Sequence, residues 1–171
     1  GELGYVLLDD WSQALPLRIW EDRPAFVQRT MSSMGGEFAR RNRLTGKYAF
    51  NHNLARVFTK EAYREHPEAF ALFKGRVRAP KESPKYDRQP DFTEPAAIRI
   101  AVEAARHHFD ENPESRSFSL STNDNTAFDE SPATEAVVGP IEYFRRRPNY
   151  TDLVFSYMNQ VAKEVFRDPE Y

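Results

Sequence analysis

Two short clusters of amide, carboxylate and imidazole side chains hold the residues of this sequence that are best suited to chemistry. They are the triplets Asn51-His52-Asn53 and Asn123-Asp124-Asn125. The Asp124 carboxylate is the leading candidate for proton transfer to a substrate, because its triplet follows a segment with the alternating pattern of a strand. His52 is the second candidate, since an imidazole with an ordinary pKa near about 6.5 exchanges protons at physiological pH.

Each triplet also has a purely structural interpretation. Short polar residues such as those at 123–125 turn a chain and cap local bends, and His52 could simply hold a loop. Two carboxylates follow downstream, Asp129 and Glu130, and either could be the second member of an acid–base pair. The oxygen-rich set could also bind calcium, but it lacks the spacing and the glycine of an EF-hand, so no metal is predicted.

The composition argues against several classes of function. The 171-residue chain has a net charge of −2, which argues against general nucleic-acid binding in spite of local arginine clusters. It has no cysteine, which excludes disulfides, zinc–thiolate sites and thiol nucleophiles. No apolar run reaches the length of a membrane span, and the N-terminus lacks the architecture of a signal peptide. We therefore expect neither nucleic acid nor a membrane as a partner.

Motifs for nucleotide chemistry and for acyl transfer are missing from the sequence. It contains no glycine-rich phosphate loop, no G-x-S-x-G and no H-E-x-x-H. What remains is a set of carboxylate, amide and imidazole groups at the ends of predicted strands, with many aromatic residues nearby. That inventory suits carbohydrate chemistry, in which carboxylates cleave glycosidic bonds, and no cofactor is predicted. It suits a non-catalytic binding module as well.

Strands must position these side chains. Alternation of apolar residues with serines predicts a strand over 117–123. Weaker patterns predict further strands at 25–33, 47–52 and 89–92. The polar triplets then lie at strand ends, where parallel α/β folds collect their chemistry. We expect the two triplets to meet at a shared rim of parallel strands.

Two amphipathic helices are the clearest elements in the sequence. The first follows Thr93, a predicted N-cap, and its apolar residues recur at helical spacing over 98–109. The second is capped by Asn149 or Thr151 and has an apolar stripe over 153–165. Other predicted elements are a short helix capped by Thr59, a hairpin with its turn at Lys74-Gly75, and a long loop over 123–148.

Several segments of the chain resemble a known bacterial family. In order they are GELG, RPAF, KYAFNHNLARVF, HPEAFAL, QPDFTEP, FSLSTNDN, FDESPAT and RPNYTDLVFSYMNQVAKEV, and together they span nearly the whole chain. In these segments the chain is similar to the family catalogued as domain of unknown function 4838, whose members are mostly unassigned in substrate. Many members carry cysteines after the Asn-Asp pair, whereas this chain has Phe128-Asp129-Glu130-Ser131 there. A cysteine-dependent role therefore has no support, and Asp124 is unaffected.

The resemblance implies a TIM-like barrel related to glycoside hydrolases, including family 67 α-glucuronidases. By analogy with barrel glycosidases, Asp124 at the end of the fourth strand would be the general acid. The second carboxylate would be Glu130 or Asp129, or would lie on the strands that complete the barrel. The side chains that would bind the sugar are those of Asn51, His52, Asn53, Asn123, Asn125 and Arg29. The substrate would be an oligosaccharide or polysaccharide, and the resemblance suggests an exported or periplasmic protein.

The length of the chain bears on how such a barrel is completed. A full (β/α)8 barrel needs roughly 250 residues, and this chain supplies about four strands. The expected fold class is α/β, a partial TIM-like (β/α) barrel of about four βα units from a larger barrel. Residues 1–24 would be a linker from a preceding domain, and residues 25–171 would be the N-terminal half of the barrel. A half barrel has open edges, so the remainder of the barrel or another chain would complete the fold.

Overall fold

The structure of the protein is a computed structural model that describes residues 25–26, 28–31, 35–46, 48–80 and 88–171. By its internal contacts the chain divides into two compact units, Gly1–Tyr48 and Ala49–Tyr171. The predicted linker over 1–24 lies outside the described residues. Within the described ranges, no helix combines the length and the apolar character that a membrane span needs.

The first unit contains a short helix, α1, over Gly36–Arg41. Glu37 stabilises this helix, because its carboxylate accepts hydrogen bonds from two arginines of the last turn and forms ion pairs with them. Arg29 donates its backbone N–H to Thr45 O at 2.6 Å in an antiparallel bridge. Among the described residues, this single bridge is the β-pairing found in the segment predicted as a strand over 25–33.

The second unit is a set of helices joined by extended segments. Its elements are α2 (Leu54–Val57), α3 (Lys60–Glu65), a 3₁₀ turn (Pro67–Ala69), α4 (Pro95–Glu111), α5 (Pro132–Val138), β1 (Tyr143–Phe144), β2 (Arg147–Pro148) and α6 (Thr151–Val165). The two strands form an antiparallel hairpin in which Tyr143 lies opposite Pro148. They are the only regular strands in the part of the chain that the structure describes.

Helices α4 and α6 pack against each other and form the centre of the hydrophobic core. Their buried apolar residues are Ala96, Ala97, Ile100, Ala101, Ala105, Leu153, Tyr157, Val161 and Val165. Apart from Ile100, the buried side chains of α4 are alanines, and the larger ones lie on α6, so the two helices can approach closely. Tyr157 is fully buried, and its hydroxyl donates to Ala97 O at 3.2 Å. Burial raises the pKa of this hydroxyl.

Helices α3 and α4 show one confirmed and one wrong capping prediction. Thr59 caps α3 as predicted, since its Oγ1 accepts a backbone N–H of the first turn at 3.2 Å. Thr93 does not cap α4, because that helix begins at Pro95 and Glu94 occupies the N-cap position. Thr93 instead donates both its N–H and its hydroxyl to Asp91 Oδ1, at 2.9 and 2.6 Å.

Helix α6 begins at Thr151, so the prediction that Asn149 or Thr151 caps this helix is wrong. The N-cap position is taken by Tyr150, which provides no side-chain cap. Asn149 Oδ1 accepts the N–H and the hydroxyl of Thr151 at 3.0 and 2.6 Å. The polar residues identified from the sequence therefore order the entry to the helix without capping it.

The segment predicted as a long loop over 123–148 contains regular structure. Ser131 Oγ accepts the Thr134 N–H at 3.3 Å, and Pro132 occupies the first turn of α5. A capping serine followed by proline is a helix start signal, which the prediction missed. The hairpin β1–β2 follows, and its turn residues Arg145 and Arg146 have φ angles of 50° and 66°. Positive φ at both central residues is what a tight two-residue hairpin turn requires.

In the described residues, the predicted strands of the second unit are extended segments joined by single bridges. The isolated bridges are His52–Ser121 (parallel), Phe70–Pro90 (antiparallel) and Phe73–Arg76 (antiparallel). The last of these encloses Lys74-Gly75 and confirms the predicted hairpin. The parallel bridge joins two of the segments predicted as strands. The larger barrel stays a prediction.

Candidate functional site

The two polar triplets meet, as expected, beside the parallel bridge between His52 and Ser121. The N–H groups of Asn53 and Leu54 both donate to Ser121 O, at 3.2 and 3.4 Å. Just before the bridge in both segments, the Ser119 hydroxyl donates a hydrogen bond to Asn51 O at 2.6 Å. Because the pairing is parallel, both segments leave the bridge in the same direction. The side chains that follow are therefore presented at a common edge.

His52 is fixed through one of its ring nitrogens. Its Nδ1 lies 2.5 Å from Thr122 O. A carbonyl oxygen can only accept a hydrogen bond, so Nδ1 carries the proton, and Nε2 of the neutral ring is an acceptor. The residue is exposed. Its ring therefore offers a defined acceptor to a ligand hydroxyl without losing the bond that orients it.

Gln89, which the sequence analysis did not single out, lies at the centre of this region. Its side chain is buried and pairs with the main chain of Asn123 in both directions. Oε1 accepts the Asn123 N–H at 3.0 Å, and Nε2 donates to Asn123 O at 2.8 Å. A peptide group of a neighbouring strand would bind Asn123 in the same two-bond manner. A side-chain amide thus takes the place of strand backbone.

The side chain of Asn123 also forms hydrogen bonds within the protein. It is 6% exposed, its Oδ1 accepts the Ala55 N–H at 2.8 Å, and its Nδ2 donates to Arg88 O at 2.8 Å. We refer to Gln89, Asn123 and the backbone groups that they bind as the amide junction. This junction ties together the segments around residues 55, 88 and 123. Asn123 therefore has a structural role, and its role in sugar binding stays a prediction.

The other asparagines of the two triplets differ in how they are engaged. Asn53 is half-buried and donates from Nδ2 to a backbone carbonyl of the neighbouring segment at 3.0 Å. Asn125 is also half-buried, and its Oδ1 accepts a backbone N–H two residues along the chain at 2.9 Å. Asn51 is exposed, and its amide donates to the next backbone carbonyl at 3.3 Å. Asn51 is therefore the most accessible of these amides.

Asp124 stands at the tip of the turn that leaves the amide junction. The Asn125 N–H closes this turn by donating to Asn123 O at 2.8 Å. The Asp124 side chain is exposed, and it forms no hydrogen bond or ion pair with any other residue that the structure describes. At this edge of the unit, Asp124 is thus a carboxylate that the fold does not use.

The two downstream carboxylates bind the hairpin around residues 73–76. Asp129 is buried, and one of its oxygens accepts the Leu72 N–H at 2.7 Å while the other accepts the Ser131 N–H at 2.9 Å. Glu130 is exposed, and its Oε2 accepts the Lys74 N–H at 2.7 Å. Both carboxylates therefore satisfy backbone donors. The assignment of Glu130 as a second catalytic carboxylate stays a prediction.

Asp91 is a further buried carboxylate that the sequence analysis missed. Burial raises the pKa of Asp91, the nearby charge of Asp129 adds to the rise, and hydrogen bonds from Thr93 oppose it. Asp91 belongs to the segment predicted as a strand over 89–92. The rule that singled out carboxylates at strand ends could therefore have found it.

A cavity of about 250 Å³ lies beside the amide junction. Its lining residues include Phe58, Phe70 and Phe73 together with Arg78 and Arg88. Gln89 and Asn123 also contribute to the wall. No sequence pattern indicates this cavity, because its lining comes from four separate segments of the chain.

Two further expectations concern metals and Arg29. Across the described ranges, no three His, Asp or Glu side chains are grouped so that they could hold a metal ion. Arg29 belongs to the first unit, where it forms the bridge to Thr45. Its contribution to the site of the second unit stays a prediction.

Comparison with known families gives a match over most of the chain. The model of a family described as Domain of unknown function (DUF4838) matches residues 12–170. Searches of curated proteins and of solved structures gave no significant match. The family match agrees with the resemblance seen in the sequence segments.

Proposed function

This chain belongs to the family of domain of unknown function 4838, and from that starting point we propose that it is a glycoside hydrolase-like, carbohydrate-active domain. The fold that goes with this proposal is a partial TIM-like barrel, completed by the remainder of the barrel or by another chain. The substrate class is an oligosaccharide or polysaccharide. The acting group is the carboxylate of Asp124.

The observation that carries this proposal is the meeting of the two polar triplets at the bridge of His52 and Ser121. The fold uses Gln89 and Asn123 to hold this edge together, and it leaves other polar groups exposed. These are the Asp124 carboxylate, the His52 ring and the Asn51 amide. A carboxylate beside hydrogen-bonding side chains is what recognition and cleavage of a sugar require.

In the proposed reaction, Asp124 acts as general acid. It donates its proton to the glycosidic oxygen while the bond from that oxygen to the anomeric carbon breaks, and water then adds to the anomeric carbon and releases a proton. His52 Nε2 and the Asn51 amide would bind sugar hydroxyls. A sugar seated over Asp124 would also exclude water from it, and desolvation favours the protonated carboxyl that an acid catalyst needs.

The test is the Asp124→Asn variant of the full-length protein, assayed on aryl glycosides and on glucuronic-acid oligosaccharides. Loss of a general acid is expected to lower kcat by about 10²- to 10⁴-fold. The matched control is Asp168→Asn, because Asp168 uses one oxygen to accept the Glu170 N–H at 3.1 Å and asparagine keeps that acceptor. Undiminished turnover in Asp124→Asn would remove Asp124 from the mechanism.

A second candidate is a carbohydrate-binding or scaffold domain without catalysis. It is favoured by the exposure of Asp124 and by the use of Asp129 and Glu130 to bind backbone N–H groups, which leaves no evident partner carboxylate among the described residues. Calorimetry with oligosaccharides, followed by chromatography of the same samples, distinguishes the two candidates. Binding with unchanged oligosaccharide supports the second, and the appearance of shorter products excludes it.

A further inference from the structure

We propose that the cavity beside the amide junction binds a small organic anion, whose carboxylate or phosphate group lies between Arg78 and Arg88. The apolar body of the ligand would contact the phenylalanines of the lining. This site is separate from the Asp124 edge, because Asp124 does not line the cavity. The proposal therefore does not depend on the proposed glycoside chemistry.

The apolar wall is rigid and already formed. Phe58 and Phe70 are 5% and 8% exposed, and their rings meet edge to face with centroids 5.6 Å apart. Phe73 adds a third ring to the lining. Packed aromatic rings of this kind give a flat apolar surface without a loss of conformational entropy on binding.

Arg88 is held in place for binding. Its Nη1 donates to Arg76 O at 2.6 Å, and its guanidinium lies over the Phe73 ring at 5.1 Å. The remaining N–H groups of this guanidinium form no other hydrogen bond with a described residue. A planar guanidinium fixed on one side presents paired donors that match a carboxylate or phosphate.

Burial lowers the pKa of Arg88, and repulsion from the positive charge of the nearby Arg78 lowers it further. Among the described residues, the cavity lining contains both arginines and no acidic residue. Neither arginine has an ion-pair partner among the residues that the structure describes. Glu130 acts on Arg88 in the opposite sense, and its Oε2 already accepts the Lys74 N–H. An anion in the cavity would relieve the repulsion.

The polar groups of the amide junction do not compete for this role. The side-chain amides of Gln89 and Asn123 already form hydrogen bonds with backbone groups of each other's segments. They therefore line the cavity, and the arginines bind the anion. The cavity therefore combines an apolar wall with a cationic one. This combination selects a ligand with one anionic end over a neutral ligand of equal size.

The experiment is a calorimetric titration of the full chain with sodium benzoate, inorganic phosphate and benzamide. Benzoate is expected to bind with a Kd on the order of millimolar, as for other ligands of its size, and benzamide, its neutral isostere, about tenfold more weakly. A phosphate response without a benzoate response would assign the site to phosphate-bearing ligands. The reverse result would assign it to carboxylates.

The variants are Arg78→Gln and Arg116→Gln. Arg78 makes no hydrogen bond with a described residue, so its loss should leave folding intact and weaken anion binding about tenfold. Arg116 is exposed and lies outside the lining, so its variant should bind as the wild type does. Asp124→Asn should also keep wild-type affinity for the anions. Equal binding of benzoate and benzamide, no binding of either anion, or unchanged affinity in Arg78→Gln would each overturn the proposal.

Discussion

Two regions of the second unit are held together by different kinds of contact. Helices α4 and α6 meet through apolar stripes, and hydrogen bonds from Tyr157 to Ala97 O and from Arg106 to Glu164 O also join them. The amide junction is polar, and the side chains of Gln89 and Asn123 bind backbone groups from three segments. Many weak apolar contacts stabilise the helix pair, whereas a few directional hydrogen bonds stabilise the amide junction.

This difference predicts different responses to substitution. Removing methyl groups from the helix interface should lower stability in proportion to the volume removed. Removing one amide from the junction should leave several buried donors and acceptors without partners at once. Each unpartnered group then costs the free energy of its desolvation. The following variants test whether the two regions differ in this way, from the largest expected effect to the smallest.

Asn123→Ala should have the largest effect on the free energy of unfolding. It leaves the Ala55 N–H and the Arg88 carbonyl without their partner, which is expected to cost about 4 kcal/mol. Urea unfolding followed by circular dichroism measures this loss. The exposed Asn51→Ala variant is the control and should stay within about 0.5 kcal/mol of the wild type. A loss below about 1 kcal/mol for Asn123→Ala would show that water replaces the amide, and the contrast between the regions would disappear.

Leu153→Ala should lower the free energy of unfolding by about 3 kcal/mol, since it opens a cavity in the α4–α6 interface. Leu153 is 5% exposed, whereas Phe155 in the same helix is 59% exposed. Phe155→Ala is therefore a control that should have little effect on the same urea transition. If both variants lose the same free energy, the assignment of the buried stripe is wrong.

Titration of Asp91 should make the free energy of unfolding depend on pH. Burial raises the pKa of Asp91, so the folded state holds the proton more tightly than the unfolded chain does. The stabilisation from this proton is complete below the unfolded pKa and is lost as pH rises through the raised folded pKa.

Asp91→Asn keeps an acceptor oxygen for Thr93 and removes the titration. It should flatten the fall in stability that the wild type shows as pH rises above the ordinary carboxyl pKa of about 4, measured by urea unfolding at each pH. The wild-type chain is the reference, because its profile contains every other titrating group. Parallel profiles for the two proteins would mean that Asp91 does not cause the slope.

The two regions also differ in how far the sequence predicts them. The apolar stripes of α4 and α6 repeat at helical spacing, so both helices are found at the predicted places. The predicted caps are wrong for both helices. Helix α5 was missed because its seven residues are too few to show a convincing period. Its start signal at Ser131-Pro132 was nevertheless present.

The amide junction has no period that a sequence pattern could reveal. The meeting of the segments around His52 and Ser121 followed from the expectation that parallel strand ends collect polar residues. Gln89 could not be found in this way, because a single glutamine beside a proline has no spacing signal. The cavity with Arg78 and Arg88 was likewise invisible, since sequence distance does not report which side chains line a common space.

The replacement of strand backbone by the Gln89 side chain has a consequence for the order in which the chain folds. Helix α4 lies between Gln89 and Asn123, and its 17 residues extend about 25 Å at the usual rise per residue. The chain must double back along that length before the two amides can meet. The helix forms from local contacts and can appear early, whereas a bond between partners 34 residues apart requires a closed loop. The edge that presents Asp124 is therefore assembled late, and slow steps in refolding should be sought in its closure.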